Sequence, residues 1–177
     1  MDWDREKRNY LDRLFVKTGV RLELEGRRGS KWARGAGGAL AILSSREHAG
    51  PHWWFGLKES EFTRRRALGV VLLCQGGQDI LDFPIAASVV EEFLAALRPD
   101  SKGESKLHLF LRHGRYVLPV PGRPDVDLTP MKGDLSWLSR MGSPTVDDGR
   151  DDDRADQGTA GNDQSRADRS RRRLVPK

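Results

Sequence analysis

Apolar and polar positions follow two rhythms along this chain. Residues 2–17 repeat at helical spacing. Trp3, Tyr10, Leu11, Leu14 and Phe15 share one side and charges fill the other, which predicts an amphipathic helix closed by Gly19. From Val20 the period shortens to two: Val20, Leu22 and Leu24 alternate with Arg21, Glu23 and Glu25, as in a half-buried strand. Residues 39–43 form a short apolar strand, and residues 44–50 a polar connection carrying His48.

Residues 51–86 organise the rest, as strand, short helix, strand, turn and strand. In the first strand Trp53, Phe55 and Leu57 point one way, toward the core; His52, Trp54 and Gly56 point the other, with Trp54 covering a second, partly exposed face. Residues 58–66 are polar apart from Phe62 and suit one or two turns of surface helix. Residues 67–74 are apolar except for Gly69, short and β-branched at Val70 and Val71, so a strand buried on both faces is expected. Gln75-Gly76-Gly77-Gln78 is a turn by composition. The strand after it ends or becomes an edge at Pro84, which has no N–H to donate.

Residues 86–97 read as a helix with Val89, Val90, Phe93, Leu94 and Leu97 on its apolar face. Leu107, Leu109 and Leu111 alternate with polar or outward positions, His113-Gly114 suits a two-residue hairpin turn, and Tyr116, Leu118 and Val120 return. Residues 134–140 suit a last helical turn. The sum is about seven strands and two or three helices at hairpin-like spacing. The expected fold class is α+β: a mainly antiparallel, strongly curved sheet or open barrel with flanking helices.

Composition divides the 177 residues in two. From Gly142 onward apolar residues almost vanish; eight Asp there balance seven Arg and one Lys. Such a segment cannot bury enough surface to offset its ordering entropy. The expectation is one domain over residues 1–141 and a disordered charged tail over 142–177, so the net charge of +5 falls on the domain. The single cysteine, Cys74, excludes a disulfide framework and reads as a small core residue. No apolar run approaches about 18 residues and the N-terminus is charged, so neither a membrane span nor a signal peptide is expected, and the location expected is cytoplasmic.

Candidate chemistry is sparse. His48 and His52 are four apart, but outside a helix, and no HExxH or CxxC occurs. No GxSxG occurs for nucleophilic catalysis, and Gly35-Ala36-Gly37-Gly38 lacks dinucleotide-loop spacing. No cofactor is implied. Pro99-Asp100 followed by Glu104-Ser105-Lys106 imitates the PD…ExK string of restriction-type nucleases, although both halves share one loop. The stronger lead is basic and aromatic. Residues 26–38 read as a flexible loop with Arg27, Arg28, Lys31 and Arg34 around Trp32; Arg64, Arg65 and Arg66 form a second cluster, and Arg171, Arg172 and Arg173 a third in the tail. Cations displace counterions from a nucleic-acid backbone, and Trp stacks on bases.

The order Trp54-Phe55-Gly56, a polar helix, Val70-Val71-Leu72-Leu73-Cys74, a Gly turn and a strand ending at Phe83-Pro84-Ile85 is similar to uncharacterised bacterial WFG-type domains, some of which accompany restriction or HNH-type nuclease systems. Their pattern ends in Ile-Pro where this chain has Phe-Pro. The likeness covers about 35 residues, nearly all structural. It implies a shared fold and a DNA-related role, and carries over no catalytic residue.

Three functions remain open on these grounds. The first is a small cytoplasmic nucleic-acid-binding module, touching nucleic acid through Arg27, Arg28, Lys31, Trp32, Arg34, Arg64, Arg65 and Arg66. The second is a metal-dependent nuclease using sheet carboxylates. The third is a protein-interaction module that meets a partner through the exposed Trp face and the tail.

Overall fold

Asp2 starts the first helix, α1 (Trp3–Thr18): its carboxylate accepts the backbone N–H groups of Asp4 and Arg5, 3.1 and 3.3 Å away. Gly19 ends the helix at φ 73°, where its N–H reaches the Phe15 carbonyl. The computed structural model describes residues 1–26 and 28–142. The predicted contact Arg27 and the expected tail beyond Gly142 lie outside the described residues.

The remaining elements follow in order: β1 (Glu23–Leu24), β2 (Trp32–Gly35), β3 (Gly38–Arg46), β4 (His52–Leu57), α2 (Glu59–Arg64), β5 (Ala67–Gly76), β6 (Asp79–Ala86), α3 (Ala87–Leu94), β7 (Ser105–Arg112), β8 (Arg115–Leu118), β9 (Val126–Asp127), a 3-10 turn (Thr129–Met131) and α4 (Ser136–Gly142). The architecture is α+β, as expected, and every strand pairing among the described residues is antiparallel except β3 with β5. The strands are shared between two sheets rather than one. A five-stranded sheet runs β1-β2-β3-β5-β6 and a four-stranded one β4-β7-β8-β9, neither closed into a barrel. The division follows from the chain between β3 and β5, where β4 leaves for the second sheet before α2 brings the chain back. The returning strand is therefore parallel to β3.

The five-stranded sheet lies between two cores. On one face Leu40, Ile42, Val71 and Leu73 meet Tyr10, Leu11 and Leu14 of α1 and Leu138 of α4. On the other, Ala41, Leu43, Val70, Leu72 and Cys74 meet Trp53, Phe55 and Leu57 of β4, Leu107 and Leu109 of β7, and Val90, Phe93 and Leu94 of α3. This is why β5 is an unbroken apolar run: both its faces are covered, each large side chain contributing about 1.5–3 kcal/mol by burial. The Trp53 indole N–H donates to the Gln75 carbonyl at 2.8 Å and ties the two sheets together.

Most local expectations match. The inward parity of Trp53, Phe55 and Leu57, the β5–β6 turn and the β7–β8 hairpin are present, the last with His113 at φ 49° and Gly114 at φ 77°. Pro84 stands on β6, an edge strand. Four local details differ. The strand of residues 20–24 shortens to Glu23–Leu24, four helices form among the described residues, and β9 and the 3-10 turn occupy the proline-rich segment. Phe15 is 41% exposed, with the Arg21 guanidinium 5.0 Å from its ring, rather than buried with Leu14.

Candidate nucleic-acid interface

The segment of residues 26–38 is not a free loop. Asp4 is buried on α1 and accepts the Gly29 N–H at 3.0 Å; Lys7, also buried, donates to the Ser30 carbonyl at 2.6 Å. These two polar residues hold the segment against the helix. The chain then enters β2, where Leu24 pairs with Ala33 and Ala33 with Leu40. The strand buries Trp32 to 5% exposure, so the predicted aromatic tip is a core residue. Its indole N–H donates to a Glu61 oxygen at 3.2 Å.

One residue from each of the first two basic clusters, Arg34 and Arg65, meets the other through Glu25, beside Trp32. The Arg65 guanidinium lies 4.8 Å from the Trp32 ring centroid and pairs with one Glu25 oxygen, while Arg34 Nε donates to the other oxygen at 2.5 Å. Arg34 and then Arg65 hold the Glu25 carboxyl below its ordinary range. Arg34, Arg65 and Trp32 thus form a bonded structural unit. The outward cations around it are Arg64 and Arg66, both exposed and, among the described residues, without a carboxylate within 4 Å. Arg28 is also exposed, with Asp4 at 3.8 Å.

Lys31 takes no part in that junction. Its ammonium donates to Glu104 Oε1 at 2.9 Å and to the Gly56 carbonyl at 3.2 Å. The Glu104 carboxylate lies directly over Gly56, where a Cβ would stand 2.2 Å from it. A glycine in β4 is what permits this crossing. On either side of the Lys31–Glu104 pair runs a groove. One, of about 470 Å³, carries Lys58 and Lys102; the other, of about 530 Å³, carries Arg46, His48 and Trp54.

Beyond the second groove is the outward face of β4 and β7, where residue spacing alone predicts no more than a partly exposed Trp54. His52 is opposite Phe110, and Trp54 opposite His108. The rings form a ribbon. His48 stacks on Trp54 with centroids 5.8 Å apart, His52 stacks on Phe110 at 4.3 Å and 4°, and His52 Nε2 is 3.0 Å from His108 Nδ1, a hydrogen bond whose direction the tautomers set. Burial, then the neighbouring His108 and His48, hold His52 below its ordinary pKa. Trp54 is 44% exposed. Lys106 Nζ lies 5.3 Å from its centroid, and Arg112 lies 4.5 Å over Phe110 at the other end.

The nuclease-like string also converges. Lys106 Nζ is 2.5 Å from Glu104 and 3.5 Å from Asp100. Each carboxylate is already engaged: Asp100 Oδ1 accepts the N–H groups of Lys102 and Glu104, and Glu104 bridges Lys106 and Lys31. Among the described residues no group of three or more His, Cys, Asp or Glu side chains gathers to hold a metal ion. Cys74 is fully buried and its thiol is pushed up by burial, so it is held as a thiol. No helix among the described residues is long and apolar enough to cross a membrane. Comparison of the chain with known protein families, curated proteins and solved structures found no match.

Proposed function

We propose that this protein is a cytoplasmic nucleic-acid-binding module, a reading in keeping with the likeness of its central segment to WFG-type domains, some of which accompany restriction systems. The observation that carries the reading is the meeting of two basic segments at one sheet edge. Glu25 joins Arg34, nine residues on, to Arg65, forty residues on; Arg64 and Arg66 on either side of Arg65 face solvent, and Arg28 is exposed near Asp4 of α1. Cations fixed on a rigid edge neutralise phosphates and release their counterions, which gives binding that weakens steeply with salt. The set of residues in contact is then narrower than the sequence suggests: Arg28, Arg64 and Arg66 touch phosphate, while Arg34, Arg65 and Trp32 hold the edge in shape.

The test is a salt titration of DNA binding by the full chain and by a variant carrying Arg64→Ala and Arg66→Gly. Arg66 has φ 49°, so glycine enters there without backbone strain. For every phosphate that the variant no longer neutralises, the slope of log K against log salt falls by about 1. Unchanged affinity and slope sink the proposal. Removal of residues 143–177 leaves this binding intact and separates it from any protein partner held by the tail.

A second reading, a metal-dependent nuclease, is favoured by one observation: Asp100 and Glu104 both lie within 3.5 Å of the Lys106 ammonium group. DNA cleavage with Mg²⁺ or Mn²⁺ that disappears in Glu104→Gln would establish it; absence of cleavage removes it.

A further inference from the structure

The outward face of β4 and β7 carries four aromatic or imidazole side chains on neighbouring strand positions, flanked by cations. A sheet face left to solvent ordinarily carries scattered polar residues. Here His52, His108 and Phe110 pack ring against ring, and Trp54, 44% exposed, shares their side of the sheet. Same-face residues on one strand stand about 6.8 Å apart, so the patch is several rings long.

The charges at its ends fit a polyanion. Arg46 lies in the groove at one end, beside a Lys106 that covers Trp54 and is already paired with Glu104 and Asp100. At the other end Arg112 and Arg115 are directly opposite each other across β7 and β8. Two like charges at paired positions repel and destabilise the hairpin unless an anion intervenes. Asp125, 3.6 Å from Arg112, is the one carboxylate within ion-pair distance of these two arginines among the described residues. Arg115, with Asp127 near it but no carboxylate within 4 Å among the described residues, is left for an external phosphate.

We infer that this face is a stacking platform for unpaired bases, so that the nucleic acid held by this protein is single-stranded. The inference rests on the nucleic-acid function proposed above and names its substrate. A base stacks here once Lys106 moves off the Trp54 ring or Arg112 off the Phe110 ring. A duplex hides its base faces inside the stack and offers phosphates and groove edges, which a sheet face cannot enter; a single strand can splay its bases onto aromatic side chains. Trp54 and the His52–Phe110 pair provide places for about two or three bases, the number other sheet platforms hold. Arg46, Arg112 and Arg115 take the intervening phosphates. Arg64 and Arg66 belong to α2 and the turn after it, not to β4 or β7, so phosphate attraction and base stacking can be removed independently.

Fluorescence anisotropy of one labelled sequence of about 15 nucleotides, long enough to cover one such platform, tests the inference in two forms, single-stranded and annealed to its complement. The full chain is expected to hold the single strand at least about tenfold more tightly, since stacking contributes about 1–3 kcal/mol per base. Trp54→Ala and Phe110→Ala should each weaken single-strand binding about tenfold and leave duplex binding unchanged, while Trp54→Phe retains most of it. Trp54 is solvent-facing, so its replacement leaves the fold intact, and urea unfolding verifies this. Equal affinity for both forms, or single-strand binding indifferent to Trp54→Ala and Phe110→Ala yet abolished in the Arg64→Ala and Arg66→Gly variant, overturns the platform and leaves the edge proposal standing. Absence of binding to either form overturns both.

Discussion

Arg65 lies on the face of Trp32, its guanidinium carbon 4.8 Å from the ring centroid, and the same guanidinium grips Glu25. An arginine that reads as a nucleic-acid contact is thereby turned inward, onto a tryptophan that reads as a base-stacking residue and is itself buried. Both belong to the scaffold of the basic edge.

Replacing Arg65 by Ala therefore acts on stability. The change removes a cation–π contact and leaves Glu25 with Arg34 alone. A loss of about 1–2 kcal/mol is expected, against less than about 0.5 kcal/mol for Arg64→Ala on the exposed side. Urea unfolding of the two variants compares them directly; equal losses would contradict the division of roles.

Two glycines give a graded steric prediction. At Gly69 an added Cβ would stand 2.2 Å from the Ile85 carbonyl oxygen and 2.7 Å from the Trp137 ring. The backbone of β6 cannot yield, so Gly69→Ala should cost about 1–3 kcal/mol. At Gly56 the obstacle is the Glu104 carboxylate, the far end of a flexible side chain. Gly56→Ala should cost less than Gly69→Ala but displace Glu104 from Lys31 and Lys106, raising its carboxyl pKa, which NMR titration reads.

The histidine ribbon sets a pH dependence. Folding holds the His52 pKa below its ordinary value of about 6.5, so the unfolded chain binds a proton there more readily. The stability this confers is complete above about pH 6.5 and disappears as pH falls through the lowered native value. Urea midpoints should fall as the pH is taken from about 7.5 to about 5, and His52→Gln should flatten that fall. A variant with the same pH profile as the wild type would show that His52 is not the titrating group.

Cys74 gives a probe of opening. The side chain is fully buried in β5 between Ser45 and Leu81 in register, and its thiol is pushed up by burial. Labelling by an aromatic disulfide reagent should be negligible in the native protein and should accelerate with denaturant in step with global unfolding. Rapid labelling in buffer would mean that β5 opens locally.

Short-range pattern was enough for most elements. The helix of α1, the two-faced burial of β5, the parity of Trp53 against Trp54 and the His113-Gly114 turn all follow from periodicity and turn chemistry, which act over a few residues. Pairing across long separations left no such trace. Nothing periodic distinguishes one sheet from two, because β4 has the same alternation whichever sheet it joins. Likewise, Trp32 reads as a loop residue until β1 and β3 flank it, and Glu25 reads as surface charge until Arg65, forty residues on, arrives beside it. His52 and His108 are fifty-six residues apart and become one surface through the register of β4 with β7. Contacts of this kind form when the whole chain closes its two cores, and that burial, rather than any local preference, decides which cations and rings are left facing water.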